Sequence, residues 1–207
     1  MRRTTAFLCL LLLLMAAPSV AQVSSSTKSK KTQQQDPNHD INEKLASQHF
    51  QNQDYEKAKE LYLELYKKKG QTQHFNQYVE CLIRLGEYES AEKELKKFIR
   101  SNPSSSKSKI DLMYIYTKNN QQDKANDLLD ELLKGLPDNK NTINNINNMM
   151  RSRMLYDAAL QVLEKGALHN TENYPFYLER ATLFHSMNNY QQAFEYYFLD
   201  LEARPNQ

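Results

Sequence analysis

An all-α solenoid of about five helix–turn–helix repeats is the fold class expected for this chain, and three observations lead to it. Ala58, Ala91, Ala125, Ala159 and Ala193 recur at intervals of 33, 34, 34 and 34 residues, and a small residue at such a period marks a helical repeat. Each alanine opens a stripe of apolar residues at helical spacing. Gly70, Pro103, Pro137 and Pro205 fall at one phase and end successive units; only the fourth unit lacks the stop, with Thr171 there.

From the N-terminus, residues 1–21 carry Arg2 and Arg3, an apolar run from Ala6 to Ala17, and Ser19-Val20-Ala21, the pattern of a cleavable export signal. The run is shorter than the roughly 20 residues of a spanning helix, so no stable membrane insertion is expected after its removal. The periplasm is the expected location, with full release as the alternative. Cys9 leaves with the signal, and Cys81 alone remains, which excludes an internal disulfide. Loss of residues 1–21 leaves 25 basic against 25 acidic residues. A chain without net charge has no global field to draw nucleic acid or anionic lipid, so no nucleic-acid partner is expected. Residues 22–38 are Ser, Lys and Gln with a single Val, a composition that reads as a disordered polar linker.

The repeats follow, with units near 39–71, 72–105, 106–139, 140–173 and 174–207. In the second, Phe75, Tyr78, Leu82 and Leu85 form one stripe, Gly86 breaks it, and Tyr88, Ala91, Leu95 and Phe98 form another. Ala91 belongs where the paired helices cross, since one methyl group lets backbones approach closely. Asn102-Pro103 ends the unit, because proline disfavours helix in its predecessor and donates no hydrogen bond. The turns Leu85-Gly86-Glu87-Tyr88-Glu89-Ser90-Ala91, Asp54-Tyr55-Glu56-Lys57-Ala58 and Asn189-Tyr190-Gln191-Gln192-Ala193 resemble those of tetratricopeptide repeats, a likeness covering about residues 39–207. The resemblance implies right-handed superhelices of antiparallel helix pairs whose concave face holds peptides or partner helices. It also asks for a small residue in each first helix; Ala46 and Ala181 comply, whereas Val79, Met113 and Asn147 depart, so looser packing is expected there. The fourth unit is expected to be the softest, because Asn141 to Asn148 are poor helix formers. Gly166 reads equally as an early cap or a close helix contact.

On the geometry that the resemblance implies, the groove is expected to present Asn76, Glu80, Arg84, Tyr114, Lys118, Asn144, Asn148 and Arg151, with Ile83 and Ile110 among their neighbours. This set is rich in amides and includes Arg84, Lys118 and Arg151, a composition suited to an extended backbone or a carboxylate. The family's terminal-carboxylate clamp is not matched, because Glu43, Ser47, Asn76 and Gln77 stand where cations would be needed. No enzyme, metal site or cofactor is expected. The five histidines make no pair at ligand spacing on one helix, only four glycines are present, and no phosphate loop or nucleophile elbow occurs. His49 reads as a packed, hydrogen-bonded histidine and Cys81 as an apolar filler. The last helix, near Tyr190 to Ala203, holds more apolar surface than one stripe consumes, so Phe194, Tyr197, Phe198 and Leu201 are expected to form an uncovered interface. Its occupant is a protein or peptide partner, or a second copy in a homodimer through the last repeat. The function expected is a protein–protein interaction scaffold or adaptor in the cell envelope; the alternative is a substrate-binding module for peptide or glycan that serves a separate enzyme or forms the N-terminal part of a longer protein.

Overall fold

The computed structural model describes residues 37–204, all of it helix and short connections. Ten helices run in sequence as α1 (Pro37–Gln51), α2 (Tyr55–Lys69), α3 (Thr72–Leu85), α4 (Tyr88–Ser101), α5 (Ser106–Lys118), α6 (Gln122–Lys134), α7 (Lys140–Ser152), α8 (Tyr156–His169), α9 (Tyr177–Ser186) and α10 (Tyr190–Ala203). The expected export signal and all but the end of the expected linker lie outside the described residues. Proline at the first helical position costs α1 nothing, since its missing N–H had no intrahelical acceptor, and α1 therefore starts two residues before the expected unit boundary.

Helices that follow one another pack together except α6 and α7, where the third and fourth units meet through α5 against α7 and α6 against α8, and the alternation builds a five-unit stack. The alanines of the period are all sealed in: Ala58, Ala91 and Ala159 have no exposed surface, while Ala125 and Ala193 keep only a trace. Their counterparts in the first helices, Ala46, Val79, Met113, Asn147 and Ala181, are equally buried. The larger residues are thus accommodated rather than expelled. Asn147 is the awkward one, because its Oδ1 is buried without a hydrogen-bond partner and such a group costs about 1–3 kcal/mol. Gly166 resolves as a close helix contact. It lies inside α8, and a Cβ there would come within 2.7 Å of Ile143 Cγ2 on α7.

One backbone device recurs at every tight turn within a unit. Gln53, Gly86, Asn120, Met154 and Asn188 occupy successive repeat phases, and all have positive φ, from 55° to 75°. Glycine or asparagine takes this left-handed conformation readily, whereas for a methionine it costs about 1–2 kcal/mol. The missing stop of the fourth unit is replaced one residue early. The buried Asn170 side chain donates to the carbonyls of Gly166 (2.8 Å) and Tyr174 (2.9 Å) and accepts from the Tyr174 N–H (2.7 Å), so an amide ends the helix where other units use Pro or Gly. The chain then reaches α9 through Phe176, which is fully buried at a φ of 56°.

Candidate functional site

The inner faces of α3, α5 and α7 carry a network of side chains that defines the groove. Glu80 and Arg84 lie one turn apart on α3, and the Arg84 Nε donates to Glu80 Oε1 at 2.9 Å. Lys107 and Asp111 repeat that spacing on α5 with a 2.7 Å contact. Arg153, the residue just after α7, reaches back across both. Its Nε donates to Asp111 Oδ1 at 2.9 Å, its Nη2 to the same oxygen at 2.8 Å, and its guanidinium also grips both Glu80 carboxylate oxygens. Glu80 is 73 residues from Arg153 in sequence, so one side chain ties the second, third and fourth units together.

Electrostatics follow from burial. The Asp111 side chain is 3 % exposed and that of Arg153 is 12 %. Burial by itself lowers the Arg153 pKa, but the charges of Asp111 and Glu80 and their hydrogen bonds raise it above the ordinary arginine value, so the guanidinium stays charged. Burial pushes Glu80 up, and hydrogen bonding and charge from Arg153, with help from Arg84, bring it below the usual glutamate value. The guanidinium carbon also lies 5.4 Å from the centre of the Tyr114 ring, and the Lys118 Nζ lies at the same distance from it. Two cations over one ring repel each other, yet each gains from the ring's negative face.

Glu80, Arg84, Tyr114 and Lys118 from the sequence-derived set therefore meet in one place. Asn144 is joined instead to α9, where it donates to Glu179 at 3.4 Å. Asn76 and Arg151 are half-buried and Asn148 is exposed, outside the Arg153 network. Ile83 and Ile110, expected beside the groove, are both buried, as apolar surface favours; Ile110 nonetheless lines the space between the groove charges. The space left between the charges is a cavity of about 180 Å³ lined by Glu80, Arg84, Ile110, Asp111, Met149 and Arg153 among others. That is below the roughly 300–1,000 Å³ of ordinary ligand sites. Sequence reasoning missed Asp111 and Arg153. Asp111 sits four residues after Lys107, a spacing that reads as a solvated surface pair, and Arg153 lies at a turn with no signal of its reach.

The last helix is built differently. Phe194 and Phe198 are each 64 % exposed, Leu201 is 61 % exposed and Tyr190 is also open, whereas Tyr197 is half-buried. Tyr196 accounts for part of the inward surface, stacking on Phe184 at 5.5 Å. Spacings of four, four and three place Tyr190, Phe194, Phe198 and Leu201 on one stripe.

Elsewhere the chemistry is quiet. Burial pushes the Cys81 thiol up to about 12, with the Glu80 charge adding to it, so the thiolate is not formed near neutrality. His49 is half-buried, its Nδ1 lying 3.1 Å from Asp54 Oδ2, while the deeply buried histidine is His74. Among the described residues no group of three His, Cys, Asp or Glu is placed to hold a metal, and no helix is long and apolar enough to cross a membrane.

Five helix pairs share one left-handed turn position, a buried crossing position in each helix that is alanine in every second helix, and a repeat of 33 or 34 residues. The chain has a tetratricopeptide-type fold. No family model matches it, and no curated protein does. Solved structures similar to it include a thermophilic tetratricopeptide repeat protein of Thermus thermophilus, at 16 % identity over 82 % of this chain and 93 % of that one, with a TM-score of 0.49. A tetratricopeptide repeat protein of Parabacteroides merdae aligns over 82 % of this chain and 68 % of its own at 14 % identity and a TM-score of 0.48. MamA of Desulfovibrio magneticus aligns over 83 % and 99 % at 13 % identity and a TM-score of 0.46. For this tetratricopeptide-type chain the assignment rests on the turn and crossing positions, and function has to come from its surfaces.

Proposed function

We propose that the protein is a non-catalytic protein-interaction scaffold of the cell envelope, exported by its N-terminal signal to the periplasm, and that it engages its partner through the last unit. The observation that carries this reading is the stripe of Tyr190, Phe194, Phe198 and Leu201, open to water on α10. An aromatic surface left bare in a stacked fold favours association, because each ring that leaves water contributes about 1.5–3 kcal/mol. The substrate-module alternative needs an open groove with free polar groups. Glu80, Asp111 and Arg153 are already paired with one another, which weighs against it.

Site-specific photo-crosslinking in the native host tests the proposal. A photoreactive residue at position 198 should give a discrete adduct with another polypeptide, and one at the exposed groove position 148 should give little. Adducts from 148 alone would reverse the assignment of faces, and none from either would remove the scaffold reading.

A further inference from the structure

Four contacts mark the face of the second helices α2 and α4 that the following unit covers. Tyr66 on α2 packs against Phe75 on α3 with ring centres 5.2 Å apart. Lys59 on α2 donates to Glu87, just before α4, at 2.6 Å. Tyr88 on α4 meets Tyr114 on α5 edge-on at 6.4 Å, and Lys96 on α4 lies 5.7 Å from the ring centre of Tyr116 on α5. Carried forward by the repeat, these four phases become Leu201, Phe194, Tyr190 and Phe198 on α10. The exposed stripe is therefore the stacking face of the array, continued one unit further, and where earlier units mix Lys59 and Lys96 with tyrosines it is wholly apolar or aromatic.

The complementary face is present in the same chain. The first helix of units two to four buries Tyr78, Leu112 and Ile146 at one phase and Leu82, Tyr116 and Met150 one turn later; Tyr116 is the ring under Lys96. In α1 the first of these phases is Leu45, 39 % exposed, and one turn before it Ile41 is 60 % exposed, at the phase where His74 and Ser108 are buried. Exposed Lys44 borders this patch, and exposed Glu195 and Glu202 border the stripe on α10. Charge as well as shape thus favours α1 against α10.

We infer that the occupant of the α10 face is a second copy of this chain, docked head to tail through α1 so that the stacking of a second helix on the next first helix, already made by α2 and α4 inside the molecule, is made once more between molecules. The inference rests on the reading of α10 as a docking surface and specifies what docks there. Because the two patches differ, the contact is heterologous and repeats, giving open-ended assembly rather than a closed pair.

Sedimentation velocity on the purified protein over a concentration series is the test, with circular dichroism to establish that each variant is folded. The wild type should grow past two chains. Phe194→Asp with Phe198→Asp blocks one end and Ile41→Asp with Leu45→Asp blocks the other; each pair should weaken self-association by more than about tenfold. An equal mixture of the two should form a species of two chains and stop, since one unblocked end of each kind remains. If an aspartate pair fails to fold, Phe198→Ser and Leu45→Ser replace it. A wild type that is monomeric throughout overturns the inference while leaving a crosslink at position 198 to a different polypeptide in support of the scaffold. Self-association that survives the α1 substitutions overturns it in favour of an α10-to-α10 pair.

Discussion

Between the second and fourth units the groove is filled from within, whereas α10 leaves four apolar side chains in water. Both surfaces belong to one repeat geometry, yet the first satisfies its own chemistry and the second does not. In the groove, Arg153 answers Glu80 and Asp111, so a ligand entering there would have to displace ion pairs that are already desolvated. On α10 the only competitor for Phe194 and Phe198 is water, and water is a poor one. A repeat array's concave side is the expected place to look for a partner, but where it is held together by its own charges it acts as structure.

The largest effect that would sharpen this contrast comes from Arg153→Met. Removing the cation leaves buried Asp111 with only Lys107 and Glu80 with only Arg84, and stability should fall by about 3 kcal/mol in thermal or urea unfolding. Phe198→Ser should shift the same curve by less than about 0.5 kcal/mol, since its ring is mostly exposed. Equal losses from the two would dissolve the distinction between a structural groove and a functional flank.

Crossing substitutions come next. Ala91→Leu places three heavy atoms where no free surface remains and should cost about 1–3 kcal/mol. Ala125→Leu should sit at the low end of that range, because Ala125 borders a cavity of about 160 Å³ between α6 and α8 that can take part of the side chain. A reversed order in denaturant midpoints would mean that the cavity does not receive it.

Acid provides a third probe. Glu80 has its folded pKa below the ordinary value of 4.5, so the stability that it contributes is fully present above that pH and is lost as the pH falls through the lower, folded value. The wild type should weaken on acidification more steeply than Glu80→Gln, followed by unfolding midpoints from pH 7 to pH 3. Parallel curves would mean that Glu80 gains nothing from Arg153.

The smallest expected effect concerns the residue after Arg153. Met154 holds the left-handed turn that aims Arg153, at a φ of 58°. Met154→Gly relieves that strain and should raise stability by about 0.5–1 kcal/mol in the same unfolding assay. A loss would show that the methionine side chain, not the turn, secures this end of α7.

How much of this was legible beforehand depended on range. The alanine period and the surplus of aromatics in residues 190–201 are local patterns, and both translate into structure because burial at a crossing and exposure on a flank depend on helical phase alone. The groove network is set by the stack's curvature. Nothing in the spacing of Glu80 and Arg153 encodes a meeting across two units, just as nothing in Lys107 and Asp111 distinguishes a buried pair from a solvated one. Asn170 escaped notice for another reason. It performs with side-chain hydrogen bonds the stop that proline performs by lacking one, and the two have no residue pattern in common.

Hydrogen–deuterium exchange on the wild type, read in the dilute and in the associated or partner-bound protein, separates a structural groove from a docking flank. Exchange should be slow in α3, α5 and α7 and unchanged by association, with new protection across residues 190–203. New protection confined to α5 and α7, with α10 exchanging as before, would contradict that and make the groove the binding surface after all.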